Sequence, residues 1–263
     1  MMCAQQAMVG HAAFSSAPTP LYDDYHDGGL AEYLRVPHWL IDPLPDTISF
    51  DVAAKVPDLA NAVRILKSAS LPTGSTVVVT AATGTMGTAT VKLARHFGVA
   101  RLILVGRNLD RLRALEDLAD GIATDLISIG ELPENWATTG GLTAALRHLA
   151  PNRAHAVIDF IPEGPATGQA MAALATGGTL AHMGGNATPL PLPPITLMVN
   201  CWRFVGIRAS TRNDALEVLN LLETGALNAD ELITQRYPLA DAVSAVDTML
   251  RRAAPLWMTV VNP

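Results

Sequence analysis

The sequence predicts an α/β protein built on a doubly wound parallel sheet, and three observations predict it. First, Thr76-Val-Val-Val79 runs through Thr80-Ala-Ala-Thr-Gly84 into an apolar-periodic stretch, Thr88 to Phe97, which Gly98 closes. Second, another apolar run, Arg101-Leu-Ile-Leu-Val-Gly106, follows almost at once and completes a strand–helix–strand unit. Third, strand-like and helix-like runs keep alternating as far as Ala209, the pattern of a parallel sheet with helices on both faces.

Before this region, residues 1–27 read as irregular, with Pro18 and Pro20 and an acidic, aromatic patch from Tyr22 to Asp27. Gly28-Gly29 breaks the chain, and Leu30 to Val36 reads as a strand. Pro37, Pro43 and Pro45 punctuate the next section, and a helix is expected from Leu59 to Ser68 with Asp58 as its N-cap. Strands are then expected at 75–80, 100–106, 122–128, 154–161, 178–184 and 204–209. Helices fall between them at 85–97, 109–119, 141–149 and 165–175. Pro189 to Pro194 reads as a loop. Two helices, 213–223 and 239–251, and a last strand, 257–261, complete the chain.

Composition narrows the function classes. Of 263 residues, 49% are hydrophobic and 16% charged, which fits a globular chain and not a disordered one. The net charge is −6 and no basic run interrupts it, so nucleic acid is a poor partner. No apolar stretch is long enough for a membrane helix, and no secretion signal is evident at the start. Two cysteines, Cys3 and Cys201, cannot form a four-thiolate zinc site or a disulfide framework. These features lead to the expectation of a cytoplasmic protein.

The turn between the first strand and its helix carries the chemistry. A strand, a tight turn and a helix present backbone N–H groups and the positive end of a helix dipole to an anion. Here the glycine pattern is Ala81-x-x-Gly84-x-x-Gly87. Ala81 stands where a first glycine is usual, which requires a negative φ at that position. Gly84 would admit the backbone to a pyrophosphate, and Gly87 would let the helix lie close on the sheet. Ala82, Thr83, Gly84, Thr85, Met86 and Gly87 are therefore candidate dinucleotide contacts.

Five segments, in order, resemble the medium-chain dehydrogenase/reductase family, that of zinc alcohol dehydrogenases and zinc-free quinone and enoyl reductases. They are Gly28-Gly-Leu-Ala-Glu-Tyr-Leu-Arg-Val-Pro37, Pro43 to Ala54, Thr80 to Gly87, Gly177-Gly-Thr-Leu-Ala-His-Met-Gly-Gly185 and Tyr237-Pro-Leu-Ala-Asp-Ala-Val-Ser-Ala-Val246. The resemblance implies a Rossmann domain with remnants of a GroES-like substrate domain at both ends. The expected divisions are 1–58, 59–210 and 211–263. Only 27 residues precede the first of these segments, where the family carries most of a substrate-binding barrel. The zinc Cys, the His-Glu pair and the proton-relay hydroxyl of the family have no counterpart here.

The second strand ends Val105-Gly106-Arg107-Asn108. An enzyme that prefers NAD usually places a carboxylate at this tip to bind the ribose 2′-hydroxyl. Gly106 takes that place, while Arg107, followed by Asn108 and with Arg111 one turn further on, can pair with a 2′-phosphate. NADP(H) is therefore the expected cofactor. The resemblance further implies that Met183, Gly184 and Gly185 run past the nicotinamide. It places Phe160 near the adenosine ribose, and Gly206 to Arg208 over the nicotinamide ribose. It also implies a homodimer, formed by edge pairing of the strand at 204–209.

Pro57-Asp58 stands where some zinc-dependent members supply a metal ligand, but a catalytic zinc needs three protein ligands, and capping accounts for Asp58. No catalytic metal is expected. No catalytic acid or base is assigned: Tyr22, Tyr25 and His26 read as a polar surface loop, His96 as surface and His182 as a satisfied core histidine. A short-chain reductase is excluded, because none of Tyr22, Tyr25, Tyr33 or Tyr237 has a Lys four residues later. The implied function is NADP(H)-dependent hydride transfer to a small carbonyl, enone or quinone. The alternatives are a non-catalytic NADP(H)-binding module or sensor, and an inactive shortened relative.

Overall fold

Six β-strands carry the architecture: β1 (Ser75–Val79), β2 (Val99–Gly106), β3 (Ala123–Ser128), β4 (Ala154–Asp159), β5 (Leu174–His182) and β6 (Arg203–Gly206). In the computed structural model, which describes residues 7–8, 12–13, 20–252 and 256–263, they form one parallel sheet in the order β3-β2-β1-β4-β5-β6. The strand order reverses between β1 and β4, and such switch points open a crevice at the carboxyl ends of the strands.

The helices are α1 (Val56–Ala69), α2 (Thr85–Leu93), α3 (Leu109–Arg113), α4 (Gly141–Leu149), α5 (Ala166–Met171), α6 (Pro194–Asn200) and α7 (Arg212–Glu223). α1 packs on β4 and β5 and also against α2 and α7, while α4 and α5 cover the other face. The core is what this layering demands: Val78, Ile103, Val157, Leu180, Leu142, Leu146 and Met171 form one buried cluster. On the other side α1 buries Leu59, Val63, Ile65 and Leu66. Each such side chain contributes about 2 kcal/mol by leaving water.

By their contacts, the described residues fall into two units. One spans Ser49–Leu232 and holds the sheet; the other joins the residues before Ser49 to Ile233–Pro263. Within the second unit, β7 (Gln235–Pro238) and β8 (Thr259–Asn262) pair in parallel. Thr234 fastens the start of β7 by accepting from Trp257 N at 3.1 Å and donating to the Met258 carbonyl at 3.0 Å. α8 (Ala242–Arg251) is held by the 2.9 Å bond between Tyr237 and Thr248. No helix among the described residues is long and apolar enough to cross a membrane.

Several elements differ from the sequence reading. Leu30 to Val36 forms no strand: Leu30, Tyr33 and Leu34 are exposed, and among the described residues no strand pairs with them. The stretch 109–119 is α-helical only to Arg113 and resumes as a short 3-10 turn at Asp117–Ala119. β5 starts at Leu174, earlier than expected, because the strand bulges around Gly177, whose φ is +79°. Leu174 pairs with Ala154 but Thr179 pairs with Ala156, so β5 carries extra residues over that interval. The proline run ends as a loop at Pro193, and Pro194 then opens α6, where its fixed φ suits the first turn.

Candidate functional site at the carboxyl edge of the sheet

The turn after β1 lies beside the strand-order reversal. Thr80 is buried at the end of β1, and Gly84 is the N-cap of α2 with no side chain to offer it. Thr88 N bonds back to the Gly84 carbonyl at 2.9 Å, so the N–H groups of Thr85, Met86 and Gly87 belong to the unpaired first turn of the helix. A Cβ on Gly87 would stand 2.4 Å from the Ala82 carbonyl oxygen, so only glycine lets the helix lie this close to the turn.

Ala81 departs from the sequence reading. Its φ is +46°, in the left-handed region, and not negative as an alanine there should require. The surroundings impose it: the Ala81 carbonyl accepts Gly84 N at 2.9 Å, and Ala82 N reaches across to the Val105 carbonyl at 3.0 Å. The turn thus keeps its glycine-type backbone without the first glycine.

Asp58 is also corrected. It is the third residue of α1 and not its cap; Lys55 occupies the cap position. Lys55, whose side chain is fully buried, donates to Asp58 at 2.9 Å, to the Thr85 hydroxyl at 2.6 Å and to the Thr85 carbonyl at 3.3 Å. Thr85 in turn donates to Asp58. Burial pushes the Lys55 ammonium below its ordinary value, with Asp58 opposing the shift. This closed ring ties the start of α1 to the first residue of α2. It also occupies the one carboxylate whose place suggested a zinc ligand. Among the described residues no group of three His, Cys, Asp or Glu side chains could hold a metal ion.

The remaining residues singled out in the sequence fall into two neighbouring groups. Gly106 ends β2 close to the turn, where an added Cβ would lie 3.5 Å from the Thr83 methyl group. Arg107 follows, exposed, and its guanidinium makes no pair among the described residues. Asn108 caps α3, its side chain accepting from Arg111 N at 3.0 Å, so that oxygen is already committed. Arg111 is half-buried. In the second group, Met183, Gly184 and Gly185 leave β5 beside Phe160 and Ile161. A Cβ on Gly184 would meet the Ile161 carbonyl oxygen at 2.3 Å. Ile207 N donates to the His182 carbonyl at 2.9 Å, which brings Gly206 and half-buried Arg208 to the same edge.

A buried polar network joins the end of β1 to the second group. Asp159, at the tip of β4 and fully buried, accepts from the Thr80 hydroxyl, from the Thr167 hydroxyl at 3.0 Å and from His182 Nδ1 at 2.6 Å. His182 Nε2 accepts Asn186 N at 3.3 Å, which fixes the imidazole as the Nδ1–H tautomer. The Asn186 side chain donates to the Gly164 carbonyl and to Thr167, each at 3.0 Å. The segment Met183–Gly185 is therefore pinned at both ends, through Met183 N to the Asp159 carbonyl at 2.9 Å and through Asn186. His182 is satisfied, as the sequence suggests, but its partners are polar. The sequence reading gives Thr80, Asp159, Thr167 and Asn186 no role in this network. The one available signal was a carboxylate ending the apolar run Ala156-Val-Ile-Asp159.

The phenol and imidazole groups near the start of the chain lie in the other unit. His26 Nδ1 donates to the Asp23 carbonyl at 3.0 Å, its Nε2 is 3.7 Å from Asp27, and Arg35 stacks over the Tyr25 ring at 5.1 Å. Tyr22 is half-buried. His96, expected at the surface, is half-buried, and burial followed by the Arg95 charge pushes its imidazole below the ordinary value.

Comparison with known proteins agrees with the fold. A family model described as zinc-binding dehydrogenase matches residues 85–224. The chain is 26% identical over 257 residues to sorbitol dehydrogenase 1 of Saccharomyces cerevisiae, covering 95% of this chain and 67% of that protein. In structure it resembles 2R,3R-butanediol dehydrogenase from Bacillus subtilis (TM-score 0.74, 20% identity, 90% of this chain and 64% of that one). It also resembles a zinc-binding dehydrogenase from Sinorhizobium meliloti 1021 bound to NADP (TM-score 0.73, 24% identity, 91% and 67%). The chain thus spans about two thirds of the length of the proteins it matches.

Proposed function

The chain belongs to the zinc-binding dehydrogenase family, within the medium-chain dehydrogenase/reductases, and from that premise we propose that it is an NADP(H)-dependent oxidoreductase. Its reaction would be hydride transfer between the nicotinamide and a small carbonyl, enone or quinone. The names of the sorbitol and butanediol relatives favour a carbonyl–alcohol pair. The observation that carries the reading is the βα turn itself. A helix start with no side-chain cap and a glycine that admits no Cβ stand beside the strand-order reversal.

The residues fit a dinucleotide. The first-turn N–H groups of α2 suit a pyrophosphate, and the exposed Arg107, with glycine before it, suits a 2′-phosphate. The bound cofactor would supply the hydride. The chain's part is to hold Met183–Gly185 rigid against Phe160 and Ile161, since placement of the reacting carbon is the chief requirement of such a transfer. We further propose a homodimer through the outer edge of β6, which among the described residues pairs only with β5.

A second reading is a non-catalytic NADP(H)-binding module. It is favoured by the state of His182: both ring nitrogens are engaged, and the Ser49–Leu232 unit contains no tyrosine. One experiment addresses both readings. The protein is titrated with NADPH and NADH by fluorescence and then assayed with carbonyl, enone and quinone substrates. The proposal predicts saturable binding with NADPH preferred, followed by turnover. Arg107→Ala should weaken NADPH about tenfold and leave NADH almost unchanged. Tight binding without turnover selects the second reading, and absence of binding sinks both.

A further inference from the structure

A second concave site lies within the same unit at the opposite edge of the sheet. A cavity of about 320 Å3 is lined by Arg147, Arg153, Thr176, Thr196, Leu192 and Trp202, among others. These residues sit where β5 and β6 begin. Leu174 lies opposite Ala154 and His182 opposite Asp159, the two ends of β4, so the cavity is ~17 Å from the dinucleotide edge at a rise of ~3.3 Å per residue.

The cavity's charge is unusual. Arg147 donates to the Ala172 carbonyl at 2.9 Å, and Arg153 donates to the same oxygen at 3.2 Å. Both contacts are near 3 Å, so the two donor nitrogens lie at most about 6 Å apart. Neither arginine pairs with a carboxylate among the described residues, and no acidic side chain lines the cavity. Burial, and then the Arg153 charge, push the Arg147 guanidinium below its ordinary value. Closing the end of α5 at Ala172 accounts for one arginine. It does not account for two like charges on one oxygen, each with most of its five N–H donors unspent.

We propose that this cavity binds a small phosphate monoester with an apolar body. The two guanidiniums bring two positive charges to one point, which a compact dianion balances and a monocarboxylate does not. Thr176 and Thr196 add hydroxyls at the wall. Leu192 and the Trp202 ring, fixed by its Nε1 bond to the Ala175 carbonyl at 2.9 Å, supply an apolar surface for the rest of the molecule. The site is independent of the dinucleotide reading.

Calorimetric titration of the full chain with phenyl phosphate and with benzoate tests it. The proposal predicts one saturable site for phenyl phosphate, with benzoate at least about tenfold weaker. Binding should weaken at least about tenfold in the Arg147→Gln, Arg153→Gln double variant. Arg147→Gln alone, at an exposed position, should show the same direction with an unchanged melting curve. Saturating NADPH should leave the phenyl phosphate affinity as it was. The proposal is overturned by no saturation up to ~10 mM, by equal affinity for benzoate, by variants that bind like the parent, or by displacement with NADPH.

Discussion

At Ala81 a single side chain opposes the backbone that its turn needs. A left-handed alanine costs ~1 kcal/mol relative to glycine, part of which glycine gives back through its freer unfolded state. Ala81→Gly is therefore expected to raise stability by about 0.5 kcal/mol, read as a higher urea midpoint with an unchanged slope. A lower midpoint would mean that the alanine methyl group packs usefully. Asp159 carries the opposite risk. Its carboxylate answers three donors in a buried place, so Asp159→Ala strands the Thr80, Thr167 and His182 donors and should cost about 3 kcal/mol. Thermal unfolding would show it, and a loss below about 1 kcal/mol would mean that water enters to replace the carboxylate.

Among the elements, α7 shows how one residue joins two helices. Thr211 and Asp214 form a reciprocal cap: Asp214 N donates to the Thr211 hydroxyl at 3.3 Å, and Asp214 accepts Thr211 N at 2.8 Å. The same carboxylate accepts Lys67 of α1 at 3.1 Å. Burial raises the Asp214 carboxyl's pKa, but the Thr211 hydroxyl and N–H, with the Lys67 ammonium, more than offset it and hold it below the ordinary carboxylate value. A depressed carboxyl contributes stability that is complete above its unfolded value and is lost as pH falls through its folded value. Asp214→Ala should thus cost about 2 kcal/mol near neutrality and flatten the acid limb below about pH 4. Urea midpoints measured across that range would show parallel limbs for parent and variant if the coupling were absent.

The elements also show what could be read in advance. The βαβ alternation was legible because each strand and helix declares its period locally, and so was the glycine pattern around Gly84 and Gly87. The Leu30–Val36 segment has the right residues for a strand, but strands need partners, and no local run shows that one is lacking. Lys55 looks like any surface lysine; its burial depends on Thr85, thirty positions away across β1. The Asp159–His182 pair likewise forms only once β4 and β5 are side by side. Local chemistry predicted the turn, whereas the network beneath it depends on tertiary register.

For the whole molecule, the proposed dimer would form along β6, which pairs with β5 alone among the described residues and carries the exposed Phe204. Sedimentation should find a dimer, and Phe204→Lys should shift it towards monomer without altering the melt of the isolated chain. A monomeric parent would refute the edge-pairing proposal. The sheet's strand order has a further consequence, for the time course of assembly. β1 is the first of the six strands to leave the ribosome, and it ends up in the middle. β2 and β3 then extend one flank and β4 to β6 the other. Every newcomer finds a waiting margin, and none has to be wedged between strands already joined. Growth from the centre outward joins consecutive strands in every pairing but that of β1 with β4, which favours folding during synthesis. Pulse-labelled hydrogen exchange should accordingly see β1 and β2 amides protected earliest and those of β6 latest.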